Sequence, residues 1–311
     1  MDKTKLPLLV IGGPTGVGKT DLSIQLAQAL DGEIINGDSL QFYKGLDIGT
    51  GKIQPKEMQG IVHHLLDILA PDQVMDAHRF KLLAQEKIEA ISQRGKLPII
   101  VGGTGLYLEG LLLGLDFGGQ TGLSSWDRAA FEASLQALDD QSLWQELAQK
   151  DPEAAANISM QNRRRVLRAL EVIALTGDLF SKQSSHAAQI KQYDSLLLVL
   201  DRPRDQLYDR INQRVLGMIA AGLEAEAKWL YDAYQGQLVA GAKGIGYKEW
   251  WPYFQGQEDL DQVVATIQQN SRRYAKRQLT WFRNRFEDKW WLDAQTPSQV
   301  LIQQVAQHFR R

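Results

Sequence analysis

A glycine-rich segment near the start of the chain carries the residue types that bind a diphosphate. It fits the pattern G-x-x-x-x-G-K-T between an apolar run and a helical pattern, with residues Gly13, Pro14, Thr15, Gly16, Val17, Gly18, Lys19 and Thr20. In that setting, backbone N–H groups and the positive end of the following helix surround an anion. Lys19 supplies a full positive charge, and the hydroxyl of Thr20 is a ligand for Mg²⁺. The spacing specifies two linked phosphates and admits ATP, GTP or another diphosphate.

Polar side chains follow two further apolar strands. Asp38 lies in Asn36–Ser39 after the second predicted strand, and Thr104 lies in Gly102–Tyr107 after the third. Because ligands bind outside the carboxyl ends of strands in open α/β sheets, both should face the phosphate loop. Asp38 is suited to hold Mg²⁺ or to accept a proton from a nucleophile, although aspartate is also common in caps and turns. Thr104 can hydrogen-bond a ligand, and an ordinary strand-to-helix turn explains it equally well.

Two arginines and two histidines have less specific surroundings. Arg210 and Arg214 are four residues apart, so on a helix they share one face. One of them can reach the diphosphate, although a surface ion pair is the commoner role of such a pair. Adjacent His63 and His64 do not converge on a metal from a helix, so we predict a structural or hydrogen-bonding role and no zinc site. The chain has no cysteine, which excludes disulfides, cysteine-ligated zinc and thiol catalysis.

Basic residues cluster twice in a chain whose net charge is only -2. The first cluster lies in Gln161–Arg168. The second, Arg272–Arg285, holds six cations and no acid, with Tyr274, Trp281 and Phe282 between them. Arginine and lysine bind RNA phosphates, and aromatic rings stack on unpaired bases. Either cluster alone is more often a solvated helix face, but both together, beside a phosphate site, indicate RNA binding.

Short strands separated by helices must position these residues. The predicted strands and helices are, in chain order, Leu8–Ile11, helical Asp21–Leu30, Glu33–Ile35, helical Phe80–Arg94, Leu97–Val101 and Tyr193–Leu200. This alternation predicts a parallel α/β sheet. The sequence turns polar in Gly118–Ser125 and is then helical to about Thr176. We predict a P-loop NTPase-like α/β core from residues 1–116 and 191–311, with a helical C-terminal part, interrupted by a helical insertion domain at residues 117–190.

The composition sets wider limits on the protein. Its 311 residues and 44% hydrophobic content suffice for one large domain with an insertion. No apolar stretch approaches the length of a membrane span, and the N-terminus lacks a secretory signal. We therefore expect a cytoplasmic protein without membrane contact, and a monomer.

These segments resemble the bacterial tRNA dimethylallyltransferase family, also called the tRNA isopentenylpyrophosphate transferases. The similar blocks follow the family's order over nearly the whole chain: Gly13–Thr20, Gly37–Ser39, Tyr43–Thr50, His63–Asp67, Gly102–Tyr107, Arg163–Val172, Gly244–Glu249 and Ala275–Arg283. The phosphate loop is widely shared, whereas the blocks around Asp38 and over Lys276–Arg283 are much more specific. The cysteine-ligated zinc finger of eukaryotic relatives is absent.

The resemblance implies dimethylallyl diphosphate as the donor, with its diphosphate in Gly13–Thr20 and Mg²⁺ on Thr20. It implies that the N6 amine of adenosine 37, in tRNAs that read codons starting with U, attacks the first prenyl carbon and releases pyrophosphate. Asp38 would accept the proton of the amine or hold the amine in line. Thr104 would help to place the reacting groups, and Arg214 would neutralise the pyrophosphate.

The resemblance also implies that several segments contact the tRNA anticodon stem-loop. In chain order, these residues are Asp38, Ser39, Leu40 and Gln41, then Gln161, Asn162, Arg163, Arg164 and Arg165, then Lys243, Gly246, Tyr247 and Lys248, and finally Lys276, Arg277 and Arg283. The insertion and the C-terminal part would thus both bind the RNA.

Two other classes of protein share the phosphate loop. A small-molecule P-loop kinase needs a nucleoside pocket and usually lid arginines, and consumption of ATP would distinguish it. An RNA-binding NTPase switch that uses GTP should carry an N-K-x-D block, which we do not find, although Leu196–Asp201 resembles a Walker B strand. We therefore predict a tRNA prenyltransferase, with a small-molecule P-loop kinase as the alternative.

Overall fold

A computed structural model describes most of the chain. The described residues are 5–115, 130–185 apart from 132 and 136, and 192–309. The domain boundaries predicted at 116/117 and 190/191, and the polar stretch Gly118–Ser125, lie outside them. The chain divides into two compact units, one formed by Met1–Leu112 with Gln192–Arg311 and the other by Leu113–Lys191.

The first unit is built on a six-stranded sheet. Its strands are β1 (Pro7–Gly12), β2 (Gly32–Asn36), β3 (His63–His64), β4 (Leu97–Val101), β5 (Asp194–Asp201) and β6 (Trp290–Asp293). All neighbouring strands are parallel, in the order β3-β2-β4-β1-β5-β6. The central strand β1 is buried from Leu8 onward, as expected for a parallel sheet covered on both faces. The predicted parallel α/β core is confirmed.

Some helices belong to the first unit with this sheet, and others form the second unit. In chain order, the described helices are α1 (Lys19–Ala29), α2 (Ala77–Gln93), α3 (Gly105–Leu112), α4 (Asp140–Lys150), α5 (Pro152–Asn157), α6 (Arg163–Thr176), α7 (Phe180–Ser185), α8 (Arg204–Ala220), α9 (Leu223–Ala233), α10 (Trp251–Phe254), α11 (Leu260–Arg285) and α12 (Ser298–His308). None of these helices combines the length and the apolar character that crossing a bilayer requires.

Both long N-terminal helices begin earlier than the sequence predicts. α1 begins at Lys19 rather than Asp21, because the helix starts inside the phosphate loop itself. α2 begins at Ala77 rather than Phe80, because Asp76 caps it by accepting the N–H of Arg79 at 2.8 Å.

Two strands were not predicted from the sequence. β3 has only two residues, His63 and His64, which pair with Ile34 and Ile35 of β2. β6 lies at the other edge of the sheet, and most of its four residues are exposed. A two-residue strand carries no periodicity, and the apolar run of β6, Trp290–Leu292, is only three residues long.

The second unit, described by itself, has a small helical core. Leu143 and Leu147 of α4 are fully buried with Val166, Ala169 and Leu170 of α6. These positions recur at helical spacing on each helix, so each helix presents one apolar face to the other.

A carboxylate on α9 holds the loop that contains Asp47 in the first unit. Glu226 accepts backbone N–H bonds from Asp47 at 2.9 Å, Ile48 at 2.8 Å and Gly49 at 2.9 Å. It also accepts the hydroxyl of Tyr247 at 2.7 Å. Burial, together with the charge of Glu226, raises the pKa of Tyr247, so this hydroxyl remains a donor. One side chain therefore satisfies three backbone donors of a loop that has no regular structure of its own.

Replacing Glu226 by alanine should therefore make the protein less stable against unfolding. We expect Glu226→Ala to lower the free energy of unfolding by about 2–4 kcal/mol, because three N–H groups lose a charged acceptor. Tyr247→Phe, which removes only one of the four bonds, should lower it by about 1 kcal/mol. Urea unfolding measures both, with Glu89→Ala on the exposed face of α2 as the matched control. A loss for Glu226→Ala no larger than that of the control would contradict this role.

Candidate active site

Three loops converge at one edge of the sheet. Because β2, β4 and β1 are neighbours and parallel, the segments that follow them leave from adjacent carboxyl ends. They border a cavity of about 550 Å³. Residues that line it include Thr15, Lys19, Thr20, Asp38, Arg210, Arg214 and Gln278. The structure thus brings most of the predicted diphosphate and catalytic residues together.

The phosphate loop has the backbone form that an anion site needs. Gly13 has a φ of 138°, and a Cβ there would lie 2.7 Å from the carbonyl oxygen of Leu200. Only glycine fits such a position. Gly18 precedes α1 without a side-chain cap, so the first N–H groups of the helix remain available to a ligand.

Lys19 lies inside this loop and is half-buried there. Its Nζ donates to the carbonyl oxygens of Gly13 at 3.0 Å and Pro14 at 2.8 Å. Burial lowers the pKa of Lys19 to about 8; the charge of Asp38 opposes this shift, whereas that of Arg214 adds to it. A bound diphosphate would restore the interactions that burial removes from the ammonium group.

Arg214 projects from α8 into the same cavity. Its Nη1 donates to Thr15 Oγ1 and its Nη2 to the carbonyl oxygen of Thr50, both at 3.3 Å. Burial lowers the pKa of this guanidinium, and the charge of Asp38 opposes the shift. One turn earlier on α8, exposed Arg210 donates to the carbonyl oxygen of Gly16 at 3.0 Å. Both arginines therefore reach the cavity, and Arg214 is the more buried of the two.

Asp38 combines a turn with a free carboxylate oxygen. Its Oδ1 accepts the N–H of Leu40 at 3.0 Å, and Asn36 accepts the N–H of Asp38 at 2.9 Å. Asn36, which is buried, also donates to the carbonyl oxygens of Asp38 and Leu65, both at 3.1 Å. Within the described residues, Oδ2 of Asp38 makes no hydrogen bond. The turn and the functional interpretation of Asp38 are therefore compatible.

Thr104 does not line the cavity in this structure. Its Oγ1 accepts the N–H of Ser39 at 3.1 Å, so it ties the loop after β4 to the loop after β2. This contact points to a supporting role for Thr104 rather than direct contact with a reacting group.

The two histidines make hydrogen bonds at the edge of the site. Nε2 of His64 lies 2.7 Å from a carboxylate oxygen of buried Glu33, and Nδ1 of His63 lies 2.9 Å from the carbonyl oxygen of Ile61. Burial lowers the pKa of His63, which favours the neutral ring. His63 also lines the cavity, which the sequence did not indicate.

Gln278 is a site residue that sequence reasoning missed. It lies on α11 among the cations of the second basic cluster, but only 4% of its surface is exposed. Its Oε1 accepts the N–H of Thr15 and its Nε2 donates to the carbonyl oxygen of Gly103, both at 2.9 Å. The available signal was its spacing from Ala275 and Phe282, which places it on the buried face of the helix.

The first basic cluster lies at the start of α6 in the second unit. Arg164 and Arg165 are exposed there. Arg163 pairs with Asp140 at 2.9 Å, and Asn162 caps the helix by accepting the N–H of Arg165. Gln161 accepts the hydroxyl of Ser159. Exposed charge is therefore concentrated in the second and third arginines of the run.

The other predicted RNA-contacting residues belong to the first unit. Exposed side chains among them are Lys243, Lys248, Lys276, Arg277 and Arg283, and half-buried ones are Ser39, Leu40 and Gln41. Gly246 and Tyr247 are buried, and Tyr247 is bonded to Glu226 as described above. Tyr247 supports the segment between two exposed lysines, and RNA contact at this position stays a prediction.

The donors in the cavity suit a magnesium ion. The described residues contain no group of three or more His, Cys, Asp or Glu side chains that could hold a metal. Magnesium sites at phosphates commonly use one or two protein oxygens, with substrate and water oxygens completing the coordination. The hydroxyl of Thr20 and the carboxylate of Asp38, which both line the cavity, fit that pattern.

A phosphate loop on a parallel sheet, with two cations and a carboxylate around one cavity, defines a P-loop protein that binds a diphosphate. Comparison with known proteins identifies the group within this class. Residues 41–285 match the family described as IPP transferase. The chain belongs to the IPP transferase family.

Similar proteins span nearly the whole chain. A protein from Lactiplantibacillus plantarum named tRNA dimethylallyltransferase is 52% identical over 295 residues, which cover 92% of each chain. One of the same name from Macrococcus caseolyticus is 43% identical over 310 residues, 99% of this chain and 97% of that protein.

Solved structures give the same result. The tRNA isopentenylpyrophosphate transferase of Bacillus halodurans has a TM-score of 0.73 and 41% identity, and the match covers 98% of this chain and 96% of that one. A eukaryotic dimethylallyltransferase acting on tRNA has a TM-score of 0.86 and 31% identity, covering 98% of this chain and 80% of that one.

The pKa of Lys19 predicts a pH dependence of diphosphate binding. Since the lysine loses its charge above about pH 8, its contribution to pyrophosphate affinity should be complete below that pH and decline above it. The ratio of wild-type to Lys19→Met affinity should fall by up to about tenfold per pH unit above the pKa. This ratio cancels the ionisation of pyrophosphate itself.

Titration calorimetry with inorganic pyrophosphate measures this ratio at each pH. Lys56→Ala, which removes an exposed lysine from a loop, serves as the charge control and should leave the affinity unchanged. A ratio that stays constant from about pH 7 to about pH 9 would show that Lys19 keeps its proton in the free site.

Proposed function

We propose that the protein is a tRNA dimethylallyltransferase. It transfers the dimethylallyl group of dimethylallyl diphosphate to N6 of adenosine 37, in tRNAs that read codons starting with U, and releases pyrophosphate. The observation that carries the proposal is membership of the IPP transferase family over residues 41–285, together with one cavity that holds Lys19, Arg214 and Asp38. The small-molecule kinase alternative is not supported, because the similar proteins are named for transfer to tRNA.

The leaving group is stabilised by the phosphate loop and two cations. As the N6 nitrogen forms a bond to the first prenyl carbon, the carbon–oxygen bond to the diphosphate breaks and pyrophosphate takes the electron pair. Lys19, Arg214 and the N–H groups at the start of α1 already surround the cavity, so little reorganisation accompanies the developing charge. A bound Mg²⁺, held through Thr20, would neutralise further diphosphate charge.

Asp38 accepts the proton that the amine must lose. An aromatic amine is a weak nucleophile, so its alignment contributes much of the rate. One carboxylate oxygen of Asp38 is fixed by the N–H of Leu40, and the other makes no hydrogen bond among the described residues. Thr104 acts on the same loop through Ser39 and is therefore a positioning residue.

Exposed cations provide the contacts to the anticodon stem-loop. Arg164 and Arg165 supply them in the second unit, and Lys243, Lys248 and Lys276 in the first. Adenosine 37 must leave its stack to enter the cavity, which costs less in a loop than in a duplex. The monomeric state and the cytoplasmic location stay predictions from the sequence.

A transfer assay tests the proposed function. Purified protein, Mg²⁺ and labelled dimethylallyl diphosphate are mixed with unmodified tRNA that carries adenosine at positions 36 and 37. We expect label in this tRNA and none when adenosine 37 is replaced by guanosine. Absence of label, together with ATP turnover stimulated by a metabolite or RNA, would overturn the proposal in favour of a kinase or NTPase.

Asp38 should be required for the chemical step and not for tRNA binding. Asp38→Asn keeps an oxygen for the N–H of Leu40 but removes the basic carboxylate. We expect the turnover number to fall by about 10²–10⁴-fold, while the Kd for tRNA changes little. Asp38→Ala should be at least as impaired, because it also loses the turn. Single-turnover kinetics and filter binding measure the two quantities, and near-normal turnover of Asp38→Asn would refute a proton-accepting role.

Arg164 and Arg165 should act through RNA phosphates. Replacing both by alanine, with Arg163 left to pair with Asp140, should weaken tRNA binding. The slope of log affinity against log salt concentration should become shallower by about 1.4–1.8 for two lost contacts. A double variant of the exposed lysines Lys56 and Lys228 controls for net charge. An unchanged slope would place the RNA elsewhere.

A further inference from the structure

One neutral side chain connects the two halves of the catalytic machinery. Gln278 lines the cavity from α11, and its amide bonds both the phosphate loop and the loop after β4, at 2.9 Å each. The assignment of its oxygen and nitrogen follows from the partners. The N–H of Thr15 requires an acceptor and the carbonyl oxygen of Gly103 requires a donor.

Each partner of this amide leads to a catalytic group. On one side, the hydroxyl of Thr15 accepts Nη1 of Arg214 at 3.3 Å, and Arg214 stands at the leaving group. On the other side, Gly103 precedes Thr104, whose hydroxyl holds the N–H of Ser39 next to Asp38. The amide therefore lies between the cation that meets pyrophosphate and the carboxylate that meets the amine.

Neither leucine nor ionised glutamate, which are close to glutamine in size, reproduces both bonds. A leucine makes neither, and an ionised glutamate accepts from Thr15 but places a negative charge against the carbonyl oxygen of Gly103. The fit is also close, because a Cβ on Gly103 would lie 2.1 Å from Nε2 of Gln278. The amide therefore joins the two loops directly, in addition to the backbone bond from Gly102 to Ile11.

We propose that Gln278 is a positioning residue that fixes the separation between Arg214 and Asp38 and thereby sets the rate of prenyl transfer. This inference rests on the proposed function. Gln278 holds no proton and no charge in the reaction. It acts through Thr15 and Gly103, so its loss misplaces groups that remain chemically intact.

The test compares three variants of α11. Gln278→Leu removes both hydrogen bonds, Gln278→Glu retains one, and Gln269→Glu makes the same chemical change at an exposed position of the helix. With both substrates saturating, we expect Gln278→Leu to lower the turnover number by about 10²-fold, since displacements near 1 Å have effects of that size. The Kd for tRNA should stay within about twofold of wild type in all three, and Gln269→Glu should match wild type.

A pH profile separates positioning from a general structural defect. A protonated glutamate can donate to the carbonyl oxygen of Gly103 while it still accepts the N–H of Thr15. The turnover of Gln278→Glu relative to wild type should therefore rise as the pH falls. Gln278→Leu should show a constant ratio, and thermal unfolding at each pH confirms that both variants are folded under the assay conditions.

Hydrogen exchange without substrate gives a readout that does not depend on activity. Peptides that cover residues 13–20 and 102–107 should exchange faster in Gln278→Leu than in wild type and Gln269→Glu. If the wild-type protein transfers no label, the proposed function is refuted. Unchanged exchange in these peptides refutes the link between the two loops, whether or not label is transferred. The inference is overturned if wild type transfers label and folded Gln278→Leu does so within about twofold of wild type, or if its loss appears only in tRNA affinity.

Discussion

The candidate site is constrained by the cost of keeping two cations charged where burial disfavours charge. Lys19 and Arg214 both line the cavity, and burial lowers the pKa of each. Backbone carbonyls compensate in part: those of Gly13 and Pro14 accept from Lys19, and that of Thr50 accepts from Arg214. A diphosphate that enters this cavity replaces weak dipoles by full charges, so binding and charge stabilisation in the transition state use the same groups.

Sheet topology determines which loops can share that anion. With β4 between β2 and β1, the loop of Asp38, the loop of Thr104 and the phosphate loop leave one edge of the sheet side by side. β5, on the other side of β1, leads into α8 and brings Arg214 to the same edge. The proposed proton acceptor, leaving-group cation and anion site therefore come from separate βα connections that meet at one edge of the sheet.

Site residues that belong to a local sequence motif could be predicted, whereas those whose hydrogen-bond partners are distant in the sequence could not. The phosphate loop is a local pattern, so its spacing alone indicated the anion site and the role of Lys19. The bonds of Gln278 reach partners 263 and 175 residues away, and that of Glu226 to Ile48 spans 178. Such pairs leave no periodicity or motif in one sequence. Family resemblance did not supply that information either, since it named Tyr247 but not the hydrogen bond of its buried side chain to Glu226.

Helix α11 carries both exposed cations and buried residues that contact the core. Lys276 and Arg277 are exposed, whereas Gln278 and Phe282 are buried, because each successive position on a helix of 3.6 residues per turn points in a different direction and positions four apart share a face. The cations proposed to contact RNA and the side chain proposed to position the catalytic groups thus lie on one helix. A loss of turnover after a substitution here is ambiguous by itself, since a displaced helix and a lost phosphate contact both reduce product. Only separate measurement of RNA affinity and of the chemical step assigns a residue of α11 to one face or the other.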